Sequence, residues 1–285
     1  QSQQQSAQQA AAEGGAATGQ QAAEANVDQS QPAQAGGGTM QPVRLTEFIG
    51  KDVRNARGED LGEISDVVID VNNARVHYAI LSFDQGLALG EKLFAYPMRT
   101  LELSPDGEEI VLNVSEERLQ RAPGFEEAAE PNWTEDDTYR RDVDRYFGDV
   151  VQVEPRANML LRRASAIMDA DLNAADGTDV GDIEDIVVNG RDGAVEFMVV
   201  AFDPGWTEPE RLVTLPLQAF RFMGTGNDMT LRVNQAQIAT APNFARDRWD
   251  GMDADYSAEV DSWFDGLGND LDTAENEPIT DTDRQ

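Results

Sequence analysis

The chain has 285 residues, with 54 acidic against 22 basic side chains and a formal net charge of −32. Lys51 and Lys92 are the only lysines, so nearly all positive charge is arginine. A surface this acidic repels phosphate backbones and anionic lipid headgroups, which argues against nucleic acid and anionic membranes as partners. Cationic proteins and divalent cations remain open. The absence of cysteine excludes disulfides, thiolate metal sites and cysteine nucleophiles. No stretch reaches the roughly 18 apolar residues that a membrane-spanning helix needs. Because the sequence begins at Gln1 rather than Met, the expectation is a removed export signal and a periplasmic or secreted bacterial location.

Residues 1–39 are dominated by Gln, Ala and Gly, with no aromatic side chain. Such a segment buries too little apolar surface to offset its ordering entropy, so disorder is expected.

An internal repeat then organises the chain. Residues 46–125 align with 165–244 at an offset of 119 without a gap, and twenty-one of the eighty pairs are identical. Among them are Asp52/Asp171, Gly58/Gly177, Gly62/Gly181, Ile64/Ile183, Asp66/Asp185, Phe83/Phe202, Pro97/Pro216 and Phe125/Phe244. Duplication is the economical explanation. Within each copy, LGEISDVVIDV (61–71) and VGDIEDIVVN (180–189) are β-branched runs suited to a pleated, half-buried surface. RVHYAILSF (75–83) and AVEFMVVAF (194–202) are apolar on both alternating faces and read as central strands. Asn72-Asn73 and Asp192-Gly193 supply hairpin residues between these runs. KLFAYP (92–97) and RLVTLP (211–216) end at prolines, and Pro105-Asp106-Gly107 precedes EIVLNV as a further hairpin. Five or six short strands in about 80 residues predict a small closed barrel, twice over.

The repeat continues at an offset of 117, where Tyr139, Val143, Tyr146 and Phe147 correspond to Tyr256, Val260, Trp263 and Phe264. Their i, i+4, i+7, i+8 spacing places them on one face of a helix. Thr134 and Asp137 read as an N-cap pair, and Trp133 and Trp249 stand just upstream. The opposite face is acidic, with Glu135, Asp136, Asp142 and Asp144, then Asp253, Asp255, Glu259 and Asp261. The bland reading packs each aromatic face on its own barrel; the sharper one docks it on the other repeat or on a partner. Residues 266–285 lose periodicity and read as a disordered acidic end.

The segment GEDLGEISDVVID (58–70) and its counterpart GTDVGDIEDIVVN (177–189) share a Gly-x-x-x-Gly-x-Ile-x-Asp pattern. With the strands downstream of it, this pattern resembles the PRC-barrel family. The resemblance spans roughly 45–125 and 164–244. It implies a compact barrel acting as a protein–protein assembly surface, without an agreed catalytic site.

The expected architecture is therefore mainly β. Two tandem PRC-like barrels (42–125 and 158–244) are each followed by an acidic helical extension (126–150 and 245–265), between terminal tails at 1–39 and 266–285. Candidate chemistry is sparse. Gly58 and Gly62 precede a strand rather than a helix, so they read as turn glycines and not a phosphate cradle. His77 is the only histidine and is replaced by Glu196 in the second copy. Asp169, Asp171, Asn173 and Asp176-Gly177 fail the spacing of a calcium loop. Asp66/Asp185 and Asp84/Asp203 read as repeated turn caps. No catalytic, cofactor-binding or metal-ligating residue is assigned. Candidate partner contacts are Trp206, in its Gly/Pro/Thr-rich loop, with Trp133, Tyr139, Tyr146, Trp249, Tyr256 and Trp263. The expected role is a non-enzymatic docking or assembly module with protein partners, and the alternative is low-affinity cation binding.

Overall fold

A computed structural model describes residues 42–84, 91–104, 107–135, 137–148, 158–202, 211–223, 229–246, 249 and 254–268. The expectations for residues 1–39, for the acidic end beyond Gly268, and for Pro105, Asp106, Asp136, Asp203, Trp206 and Asp253 fall outside those residues, while Gly266 and Leu267 continue the last helix instead of opening a disordered tail.

The first copy supplies β1 (Pro42–Arg44), α1 (Leu45–Phe48), β2 (Asp52–Asn55), β3 (Asp60–Asp70) and β4 (Arg75–Asp84). It continues with β5 (Glu91–Pro97), β6 (Glu102–Leu103), β7 (Ile110–Leu112), α2 (Glu116–Gln120) and α3 (Thr138–Phe147). The second copy repeats the order: β8 (Leu161–Arg163), α4 (Ala164–Met168), β9 (Leu172–Asn173), β10 (Asp179–Asn189) and β11 (Val195–Phe202). After these come β12 (Arg211–Leu215), β13 (Phe220–Phe222), β14 (Met229–Leu231), α5 (Gln235–Ile238), β15 (Asn243–Phe244) and α6 (Ala254–Leu267). The fold is mainly β, in two sheets.

One sheet runs β5-β4-β3-β2-β7-β6, and the other runs β13-β14-β9-β10-β11-β12-β15. As the apolar runs predict, β4 is central, paired with β3 and β5. Among the described residues neither path of ladders returns to its start, so the full closure expected is not seen in them. The pairing of β7 with β2 is parallel, as is that of β14 with β9.

The unexpected feature is an exchange of strands. β1, the first strand of copy one, pairs antiparallel with β10 of copy two through Pro42–Asn189, Val43–Val188 and Arg44–Val187. Reciprocally, β8 of copy two pairs with β3 of copy one through Leu161–Asp70, Arg162–Ile69 and Arg163–Val68. The long strands β3 and β10 have the same burial along their length, and the last five residues of each are buried. A β-branched run covered on only one face would alternate. These runs do not, because a second face is covered as well, by α4 on β3 and by α1 and α4 on β10. The apolar core is accordingly continuous across both copies, from Leu45 and Phe48 to Ile238 and Ala241.

Both long strands carry a bulge at the same place, between Ile64 and Asp66 and between Ile183 and Asp185. A bulge adds one residue and re-aims the side chains beyond it, here turning Asp66 and Asp185 into the interior. At the hairpin after β3 the left-handed residue is Ala74, with φ of 47°, and not Asn72 or Asn73. The asparagines instead donate their backbone N–H groups to the Asp70 carboxylate.

Gly62 has φ of 106°, and a side chain there would drive its Cβ into the Ser82 carbonyl. Gly58 is also left-handed, at 78°, but has open space around it. Gly62→Ala should therefore cost about 3 kcal/mol or more of unfolding free energy, and Gly58→Ala about 1 kcal/mol. Urea unfolding followed by circular dichroism checks the ranking; equal losses would contradict this account.

Candidate functional site: arginine latches and aromatic seats

Asp66 and Asp185 are fully buried. Each carboxylate accepts from the backbone N–H of the next residue, Val67 or Ile186. Each also receives the first residues of the other copy. Arg163 Nε donates to Asp66 at 2.6 Å, and Ser165 donates through its backbone N–H and its hydroxyl. In the mirror arrangement Arg44 Nε donates to Asp185 at 2.7 Å, with Thr46 N–H and hydroxyl beside it. The residues are equivalent under the 119-residue offset, so the two latches are one design used twice. Asp66 and Asp185 are thus interior anchors rather than the turn caps expected. A buried carboxylate costs several kcal/mol of desolvation unless charge and hydrogen bonds surround it, and four donors do so here.

The two upstream tryptophans belong to these latches. Trp133 is buried and donates from Nε1 to Glu130 Oε1, while Glu130 Oε2 accepts from Arg163 Nη1 at 3.1 Å. Trp249 meets the other arginine directly, its ring 3.6 Å from the Arg44 guanidinium carbon. One tryptophan therefore holds its arginine through a carboxylate, and the other through its π face. Thr134, expected as a helix cap, instead donates to the Leu161 carbonyl and accepts from Arg162, tying the segment before α3 to β8. Asp137 occupies the cap position without a side-chain cap bond, and its carboxylate pairs with Arg141.

The helical aromatics seat on the barrels. Tyr139 packs edge-on against Phe125 and Trp133. Its hydroxyl accepts from Ala95 N–H and donates to the Pro123 carbonyl. Burial pushes that phenol up to about 12. Tyr256 repeats the seat against Phe197 and Phe244, with its hydroxyl 2.9 Å from Thr214 Oγ1. Tyr146 donates to the Arg118 carbonyl, and Trp263 donates to Thr240 Oγ1. Val143, Phe147 and Val260 are buried beneath the helices. The structure thus places Trp133, Tyr139, Tyr146, Trp249, Tyr256 and Trp263 against the body of the molecule. Trp206 lies outside the described residues.

Asp144 departs from the acidic face assigned to it. Its carboxylate accepts from the Tyr78 hydroxyl at 2.8 Å. Burial raises the Asp144 pKa above its ordinary value despite that bond and nearby Arg140, and burial followed by the Asp144 charge raises Tyr78 well beyond its own. Copy two has Phe197 at the equivalent position, so this polar seat is particular to copy one. His77 stacks edge-on against the Tyr78 ring. Among the described residues no three His, Asp or Glu side chains gather as metal ligands.

Sequence comparison identifies a PRC-barrel domain at residues 40–119. No curated protein matches the chain. The matched interval begins just before β1 and includes Arg44, Gly62 and Asp66.

Truncating Asp66 to Ala leaves Arg163 and Ser165 without their anchor and should destabilise the protein by about 3 kcal/mol or more. Denaturant titration measures this, and a loss below about 1 kcal/mol would remove the latch from its central role. For Asp144, a raised folded-state pKa means the neutral form is favoured on folding, so its stabilising effect is present at acidic pH and lost as pH rises through the folded value. Asp144→Asn should therefore be more stable than the parent at pH 7, with the difference shrinking toward pH 4. Parallel urea titrations at the two pH values test this, and a constant difference would refute it.

Proposed function

We propose that the second copy is also a PRC-like barrel and that the pair forms an internal pseudo-dimer serving as a non-enzymatic docking module for a basic protein partner. The observation that carries the reading is the reciprocal exchange of β1 and β8, each fastened by a buried aspartate. Two barrels held in one fixed relation offer a partner duplicated edges and loops at a set spacing, which lowers the ordering cost of a two-point contact. The net charge of −32 favours a cationic partner and fast, salt-sensitive association. A periplasmic or secreted location is part of the same proposal, and fractionation of source cells tests it.

Deleting the helices would not probe their outer faces, because Val143 and Phe147 belong to the shared core and Val260 to a second buried cluster with Phe197, Val199 and Leu212. The informative bait is the full chain against a variant with exposed helix carboxylates reversed, Asp142→Lys, Asp255→Lys and Glu259→Lys. Used on an envelope extract, the parent should retain a stoichiometric basic protein that half-molar salt and the triple variant both release. No saturable partner at physiological salt would sink the docking role. Thermal stability rising steeply with millimolar calcium would then favour low-affinity cation binding, the reading the charge also supports.

A further inference from the structure

The two junctions between the copies are related by the same 119-residue offset, yet they differ. At one, the hairpin of copy two meets the turn after β5. A Cβ on Gly193 would lie 3.4 Å from Met98 Cγ, so the fit is close. At the other, the hairpin of copy one faces the turn after β12 and strand β13, and a cleft of about 460 Å³ remains. Ala74 and Leu217 occupy there the positions of Gly193 and Met98. Ala74 holds a left-handed backbone, a strained conformation for a residue with a Cβ.

The lining of the open junction has also changed chemically. Arg221 and Arg232 stand where copy one has Glu102 and Asn113. Among the described residues that line the cleft, none is Asp or Glu, in a chain with 54 acidic side chains. The rest of the wall combines apolar side chains, Leu160, Leu217, Phe220 and Phe222 among them, with the polar Asn72 and Gln218. The main chain at Arg232 is anchored, its backbone N–H donating to the Ala219 carbonyl. A volume within the roughly 300–1,000 Å³ of small-molecule sites, a lining of mixed apolar and polar side chains and two arginines among them define a recognisable ligand chemistry.

We propose that this cleft binds a small organic anion, its apolar body on Leu160, Leu217 and Phe220 and its charged group on Arg232 and Arg221. Carboxylates, sulfonates and phosphates share that chemistry, and the site is independent of any protein docking on the outer faces.

The test uses the full chain at 0.15 M salt, where long-range repulsion by the acidic surface is screened beyond about 8 Å. The probe is 8-anilinonaphthalene-1-sulfonate, with the uncharged N-phenyl-1-naphthylamine as its control, both read by fluorescence titration. The expected result is one saturable sulfonate site, with at least tenfold weaker binding of the neutral compound. Arg232→Ala should weaken the sulfonate about tenfold, the scale of one charge-assisted hydrogen bond, and leave the neutral compound unchanged. Leu217→Trp, which fills the cleft, should abolish both. Absence of saturable binding, equal affinity for the two probes, or sulfonate affinity unchanged in Arg232→Ala would each overturn the proposal. Arg232 lies outside the buried core, so its variant should keep the parent melting temperature and decides the question even if Leu217→Trp fails to fold.

Discussion

Two carboxylates buried beyond the reach of water set the terms for the rest of this molecule. Asp66 and Asp185 lie at bulges in the longest strand of each copy, where, among the described residues, their own repeat contributes a backbone N–H from Val67 or Ile186 and the cation comes from the other repeat. Arg163 and Arg44 arrive from the opposite repeat, each carried on a three-residue strand too short to be stable alone. Strand pairing positions the arginine, and the arginine makes the buried charge tolerable. Either half of this arrangement without the other would be unfavourable. That mutual dependence explains why the two copies share one core rather than forming separate beads.

The aromatic extensions obey the same constraint. A tryptophan from the segment between barrel and helix braces each arginine, one by direct contact and one through a carboxylate. Trp249 uses its ring, whereas Trp133 works through Glu130, a small divergence that preserves the role. Tyr139 and Tyr256 then fix the helices by satisfying the hydroxyl at the same strand-and-proline site. The duplicated chain has therefore kept its latches and seats nearly intact while allowing one junction to open and collect arginines.

Much of this plan is visible in the sequence. The 119-residue offset, the glycine pattern and the apolar run of β4 are local or periodic signals, and they lead to the correct sheet order around β3 and β4. What escapes is long-range. Nothing in the spacing of Pro42–Arg44 or Leu161–Arg163 says which copy they pair with, because three-residue strands carry almost no register information. The repeated Arg44/Arg163 next to the hydroxyl pair Thr46/Ser165 is the signal available, and it gains meaning only once Asp66 and Asp185 are known to be buried. Thr134 and Asp144 look like cap and surface residues by type, since a one-dimensional reading cannot see the Leu161 carbonyl or the Tyr78 hydroxyl waiting for them.

The exchange also orders events in time. β1 is among the earliest described segments to leave the ribosome, yet its partner strand β10 is completed only at Asn189. Arg44 is separated from Asp185 by 141 residues, so the first strand made is among the last to be placed. Earlier still, until Leu161–Arg163 has been made, the outer edge of β3 and the Asp66 carboxylate await β8, leaving an unpaired strand edge on a half-built molecule. A second nascent chain nearby could offer the same strand. Covalent linkage of the repeats thus does more than connect them: by keeping the correct β8 at high local concentration, it favours closure within one chain over linkage between chains.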